Sequence, residues 1–190
     1  MSAIELLPNR SSPARLAVPI RTSRLELQPF DQGDVASIAA LCADPEATQW
    51  TGGVKTQSQS EEAVAHMRDS FHARGWGTLA VHLADTSECL GYCGVRPLQH
   101  TQDVEIAFGI QRSYWGKGFA TEASAACLDA AFSTLVLRSI VATVYPENTR
   151  SLAVIRKLKM KKESEVFGQW PHSIAWVFRV TKDEWERKLP

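Results

Sequence analysis

Gly116, Lys117 and Gly118 stand directly behind Tyr114 and Trp115 and directly ahead of a helix-forming run, FATEA. Glycines in such a place let the backbone take a positive φ and approach a ligand closely. The start of a helix leaves N–H groups without intrahelical acceptors, and its dipole favours negative charge. The combination suits an anion. Two common phosphate turns do not fit it. In the Gly-Lys-Ser/Thr loop the lysine precedes a hydroxyl residue, whereas Lys117 precedes glycine, and Gly109 lies too early to open that loop. The dinucleotide fingerprint needs three spaced glycines after a first strand, and this turn has two after a late strand. What remains is Gly-x-Gly-x-Ala, in which a larger side chain at Gly118 or Ala120 would block a phosphate lying across the helix start.

A metal site is the other chemistry to weigh. The cysteines are Cys42, Cys89, Cys93 and Cys127, and His82 and His100 lie near the middle pair. That stretch reads as a strand, where Cys89 and Cys93 share a face but sit too far apart to chelate without a turn. The expectation is no metal, with reduced and mostly buried thiols in a cytoplasmic protein.

The chain's 190 residues suffice for one domain with a real core. Apolar residues make up 44% and charged residues 22%, as in an ordinary globular chain. Lysine plus arginine equals aspartate plus glutamate at 21 each, which argues against a general nucleic-acid binder. The basic run KLKMKK (157–162) reads as a solvated helix end. No apolar run reaches the length of a membrane span, so no membrane partner is expected. Residues 1–20 lack the pattern of a secretory signal and read as a flexible leader that becomes ordered near Arg21.

The patterning predicts strands at 24–30, 77–84, 88–98, 104–110 and 139–145, then roughly 162–167 and 173–180. It predicts helices from Asp31 to about Cys42, from a Ser58–Glu61 capping box to about Ala73, and from the glycine turn to about Leu135. A further helix opens at Asn148 or Thr149, and a short one follows a Thr181–Glu184 capping box. The first strands are joined as antiparallel hairpins, and the strand–helix–strand unit over 104–145 is locally parallel.

YWGKGFATEA resembles the acyl-coenzyme A motif of the GNAT superfamily of N-acetyltransferases. More narrowly it resembles the RimJ/RimL-type branch, which acetylates ribosomal-protein N-termini and assorted small amines. TSRLELQPF, LGYCGVRPL, VEIAFGI, PENTRSLAVIRKL and VTKDEWERK resemble further segments of that branch. The resemblance implies one α/β (α+β) domain over 21–188. Its central sheet is mixed and mostly antiparallel, with about seven strands and a V-shaped splay between the fourth (104–110) and fifth (139–145).

It also implies acetyl-CoA as co-substrate. The pyrophosphate would rest on N–H groups of Trp115, Gly116, Lys117, Gly118, Phe119, Ala120 and Thr121. The pantetheine arm would pair with Ile106, Ala107, Phe108, Gly109 and Ile110, with Gly109 marking a bulge. The thioester oxygen would meet an N–H near Ala107 or Phe108. Asn148 would bind pantetheine amides, and the Ser151 hydroxyl would approach the coenzyme sulfur as acid.

Acetyl transfer needs a neutral amine, and an α-amino group (pKa ~7.7–8.0) is closer to neutral than a lysine amine (~10.4). A carboxylate acting through water is then base enough. Glu105 is the candidate, opening the fourth strand on the face of Ala107 and Gly109, and His172 is its rival. Trp50, Trp76, Trp170 and Trp176 are candidates for the acceptor cleft. The implied reaction passes acetyl directly to a primary amine of a protein N-terminus or small molecule, through a ternary complex, in a monomer or homodimer.

Three positions depart from the family. Phe178 stands where a tyrosine is usual, Lys159 where a glycine closes the helix, and Trp115 where Gln or Arg is common. The first leaves open a second class, a non-catalytic acyl-CoA-binding or sensor domain. The second suggests a helix end of different shape.

Overall fold

A computed structural model describes residues 14–167 and 174–187. The chain runs through β1 (Ile20–Arg21), β2 (Leu25–Gln28), α1 (Val35–Ala43), α2 (Pro45–Thr48) and α3 (Gln57–Arg74). It continues with β3 (Thr78–Leu83), β4 (Cys89–Pro97), β5 (Val104–Ile110), α4 (Phe119–Thr134) and β6 (Ser139–Val144). Then follow α5 (Thr149–Lys157), β7 (Lys161–Phe167), β8 (Ile174–Thr181) and α6 (Lys182–Glu186). The strands form one eight-stranded open sheet in the order β1-β2-β3-β4-β5-β6-β8-β7. Neighbours are antiparallel except β5 and β6, which are parallel across the α4 crossover. The eighth strand is β1, two residues long, within and beside the segment read as leader. Leu16, in that same segment, is buried and donates its N–H to Gly75 O.

The sheet divides two apolar clusters. On one face Val104, Ile106 and Ile110 pack with Phe119, Cys127 and Leu128 of α4 and with Leu152 and Ile155 of α5. On the other, Phe30, Val35, Ile38 and Leu41 meet Val64 of α3 and Ala80 of β3. The period-2 alternation of β5 follows from this, with Glu105, Ala107 and Gly109 turned away from α4.

Four details differ from expectation. The α3 helix starts at Gln57, and its capping box joins Thr56 to Gln59. Ser58 lies inside the helix, because the Thr56 hydroxyl oxygen already accepts Gln59 N–H one step earlier. Gly109 makes no bulge, since β4 and β5 keep one register from Gly91↔Ile110 to Pro97↔Val104. A Cβ at position 109 would lie 2.5 Å from the Tyr92 ring, so this glycine makes room for Tyr92. The α5 helix keeps a left-handed closure although the residue is lysine. Lys159 sits at φ 56°, and Met160 N–H returns to Ile155 O at 3.2 Å. The side chain's steric cost at such an angle is about 1–2 kcal/mol.

The fourth difference is the face of Cys89. Val81 opposes Gly91 while His82 opposes Cys89, so Leu90 is an extra residue on β4. This bulge turns on Gly91 at φ 152°, where a Cβ would collide with Gly109 O. The alternation shifts at that point. Cys93 therefore packs in the α4-side core, and Cys89 faces the other side.

Candidate active site

Pairing between β5 and β6 is a single parallel register pair, Glu105 opposite Val141. Beyond it the strands part. Ile106–Ile110 line one wall of a V, with no ladder to β6 among the described residues. The splay expected from the resemblance is therefore present, and its vertex is at Glu105. Strand backbone left without a neighbour offers N–H and C=O groups to an extended ligand.

The wide mouth of the V holds the glycine turn. A 3-10 turn over Arg112–Tyr114 leads into it, and Gly116 (φ 78°) and Gly118 (φ 85°) both take the left-handed conformation. Gly118 is the N-cap of α4, and no side chain caps that helix. Its first N–H groups thus lack intrahelical partners. A Cβ added at Gly116 would meet nothing within 4 Å, and at Gly118 only Arg24 Nη2 at 3.6 Å. Both glycines answer to backbone angle, with open space outside. The Phe119 side chain is buried in the core, its ring tilted at 58° to that of Tyr114, so its backbone faces the turn.

The turn is clamped from below. Arg24 donates to Lys117 O at 3.0 Å and to Glu122 at 2.7 Å, and its guanidinium lies 4.5 Å over the Phe119 ring. Glu122 also accepts from the Thr22 hydroxyl at 2.5 Å. Burial pushes the Glu122 carboxyl up, but hydrogen bonds from Thr22 and Arg24 outweigh it and hold the group below its ordinary value. The clamp is therefore charged at neutral pH.

Across the mouth, α5 meets this wall. The Trp115 indole donates to Ile110 O at 2.6 Å, and Arg150 of α5 lies 4.1 Å over its ring. Arg150 also pairs with Glu46, which Arg112 joins at 3.3 Å. Asn148 caps α5 by accepting Ser151 N–H at 3.1 Å. This commits one side-chain oxygen of Asn148 and places Ser151 in the first helical turn, half-buried.

At the vertex Glu105 is 9% exposed, and Arg96 Nε donates to its Oε1 at 2.8 Å. The two are direct partners across β4 and β5. On the same face Tyr92 covers Gly109, and burial raises its phenol above the ordinary value. Phe178 is buried in β8, in register with Ala142, and offers no phenol. Of the tryptophans, Trp50 lies 5.6 Å from Tyr145 at the end of β6, while Trp76 and Trp176 pack against the core. His172 and Trp170 fall outside the described residues.

Sequence reasoning missed Arg96, Arg24 with Glu122, and the Trp115–Arg150 stack. Arg96 was within reach, since a hairpin register for 88–98 and 104–110 sets it opposite Glu105. The others depend on tertiary contacts between distant segments.

Residues 24–161 match the acetyltransferase (GNAT) domain family. The chain is 30% identical over 145 residues to an uncharacterized N-acetyltransferase, p20, of Bacillus licheniformis, covering 75% of this chain and 82% of that protein. An acetyltransferase structure from Agrobacterium tumefaciens is 28% identical with a TM-score of 0.75, covering 93% of this chain and 98% of the other. RimJ of Mycobacterium smegmatis, solved in complex with a CoA-disulfide, shares the fold at 22% identity and a TM-score of 0.69, covering 91% and 87%. The chain belongs to the GNAT acetyltransferase family and is an acyltransferase. Members of that family use acetyl-CoA. No helix among the described residues is long and apolar enough to cross a membrane.

Proposed function

We propose that the protein transfers acetyl from acetyl-CoA directly to a primary amine, through a ternary complex, in the manner of the RimJ/RimL-type branch. One observation supports this reading: among the described residues β5 and β6 stand in register at Glu105↔Val141 alone, and the V they open ends at an uncapped helix start behind two left-handed glycines.

The coenzyme's pyrophosphate lies on the N–H groups of 115–121, where the helix start contributes about 0.3–1 kcal/mol for each exposed interaction. Pantetheine extends along Ile106–Ile110 and reaches the Asn148 amide nitrogen, which the cap leaves unused. The acetyl group then sits near the vertex. An N–H of Ala107 or Phe108 holds the developing oxyanion, a contact whose loss typically costs about 2.7–4 kcal/mol of barrier. Through a water, Glu105 takes the proton of the attacking amine, while Arg96 fixes the carboxylate by a charge-assisted bond. As the C–S bond breaks, the Ser151 hydroxyl gives a proton to the departing thiolate.

The acceptor is a protein N-terminus or a small-molecule amine that enters past Trp50 and Tyr145. The domain takes in the expected 21–188 together with Leu16 and Ile20, which lie in its core, and its four buried free thiols fit a reducing, cytoplasmic setting. One observation favours a second reading, a non-catalytic acyl-CoA sensor: Phe178 stands where the family's phenol is usual. Thiol release from acetyl-CoA over a panel of amines and Ala- or Ser-initiated peptides separates the two. Amine-dependent release supports the enzyme, and tight binding without release supports the sensor.

A further inference from the structure

The bulge at Gly91 has a chemical result at the far end of β4 from Arg96 and Glu105. It brings Cys89 to His82 on β3 and to Asp34, the residue before α1. A carboxylate oxygen, a ring nitrogen and the sulfur of these three lie within 4.8 Å of one another, and all three residues are buried. We propose that Asp34, His82 and Cys89 form a binding site for one divalent transition-metal ion of the zinc class, with a fourth position open to the adjoining cavity.

The donor set points to that class. Oxygen, nitrogen and thiolate together suit zinc and its neighbours, whereas magnesium and calcium take oxygen ligands. Charge balance agrees, because a dication with one carboxylate, one thiolate and a neutral imidazole is neutral overall. A buried site requires that neutrality. Two further observations point to a ligand. His82 is 92% buried at its side chain, and its Nδ1 has no hydrogen-bond partner in the described structure. A buried polar atom left unpaired in a native fold commonly marks an ion or water. The adjoining cavity, about 420 Å³, is lined by the acidic Glu26, Asp31, Asp34 and Glu88 and by no lysine or arginine. It provides an entry path whose potential attracts cations.

Without metal, His82 Nε2 and Asp34 are joined by a hydrogen bond while Nδ1 stays unpaired. His82 Nε2 and Asp34 Oδ1 are 2.7 Å apart. Burial, with the Asp34 charge, pushes the Cys89 thiol up to about 12, so it is a neutral thiol and no nucleophile. A metal reverses this, since a coordinated thiol gives its proton to solvent. Ligand atoms about 2.0–2.3 Å from a tetrahedral ion stand roughly 3.3–3.7 Å apart, so the His82–Asp34 pair opens by under about 1 Å. The ion would tie the start of α1 to the β3–β4 hairpin.

The test uses full-length, chelator-treated, reduced protein titrated anaerobically with Co²⁺ as a spectroscopic stand-in. The expected result is a thiolate-to-cobalt charge-transfer band that saturates at one equivalent and is removed by Zn²⁺. Cys89→Ser, checked for folding by circular dichroism, loses that band, and Cys42→Ala keeps it. Zn²⁺ raises the Tm of wild type and leaves that of folded Cys89→Ser unchanged. Absence of the band in wild type at millimolar Co²⁺ overturns the proposal, and so does an undiminished band in Cys89→Ser. Neither readout uses acetyl-CoA, so either result leaves the acetyltransferase reading to be judged separately.

Discussion

Arg96 and Glu105 face each other across β4 and β5, guanidinium Nε to carboxylate Oε1 at 2.8 Å, at the position where β5 stands in parallel register with β6. Glu105 is nearly buried while Arg96 is half exposed at its side chain, so the arginine anchors the carboxylate from the solvent side. A group so held at the apex of the splay has the fixed geometry that the proposed proton transfer requires.

Replacing Glu105 by Gln keeps shape and removes basicity. Turnover is expected to fall about 10²–10⁴-fold at low pH, where the acceptor is mostly cationic. It recovers in part as pH nears the amine's own pKa, because free amine no longer needs the base. Arg96→Gln leaves the carboxylate in place but unanchored, and lowers turnover less while acetyl-CoA affinity stays the same. Turnover against pH for the three proteins checks this. A Glu105→Gln profile parallel to wild type would remove the carboxylate from the mechanism.

Gly118→Ala is expected to weaken acetyl-CoA binding at least about tenfold, or 1.4 kcal/mol. Its Cβ has open space within the protein but stands where the phosphates would lie. The positive φ adds strain, so Gly53→Ala is the matched control, with φ +78° and nothing within 4 Å. Calorimetric titration of both decides. Equal affinities in the two variants would mean that the turn is not the pyrophosphate site.

Asn148 caps α5, and the proposed mechanism gives its amide nitrogen to pantetheine. Asn148→Asp retains the oxygen that caps α5 and loses the amide nitrogen, so stability holds while coenzyme affinity drops. Asn148→Ala loses both, at a stability cost of about 1 kcal/mol. Ser151→Ala is expected to lower kcat with little change in coenzyme affinity, since in the proposed mechanism the hydroxyl acts on the leaving thiolate. If only KM moves, Ser151 binds substrate and gives no proton.

Glu122 gives the fold an acid-sensitive clamp. Its folded carboxyl lies below the ordinary 4.5, since the Thr22 and Arg24 bonds outweigh burial. The unfolded chain therefore binds the proton more readily. The stabilisation is complete above that ordinary value and fades as pH falls through the lower folded one. Glu122→Gln lowers Tm at pH 7, and the gap to wild type closes as pH falls through the lowered carboxyl of the folded protein. Thermal melts across that range check the sign. A gap that widens in acid would contradict it.

Much of the candidate site's local structure was legible because it lies in local pattern. The bounds of β5 come from one β-branched run closed by the Arg112–Tyr114 turn, and the α5 cap from Asn148 three residues before Ser151. The glycine turn announced itself by two residues that tolerate a positive φ. What escaped depends on partners distant in sequence. The Leu90 bulge is fixed by Gly91 lying against Gly109 O, and only that packing moves Cys89 to the face of Asp34 and His82. Thr56 outcompetes Ser58 as a cap, although both patterns are locally sound. Arg24 reaches Lys117 O across 93 residues, a contact no window of sequence contains.

The most direct measurement pairs thiol release from acetyl-CoA with mass spectrometry of acceptor and protein, over a panel of amines and short peptides. The account predicts release that requires an amine, equals the amount of acetylated amine, and leaves no acetyl on the protein. Acetyl-CoA bound tightly with no amine-dependent release, or acetyl retained on the chain as an intermediate, would contradict direct transfer at the β5–β6 splay.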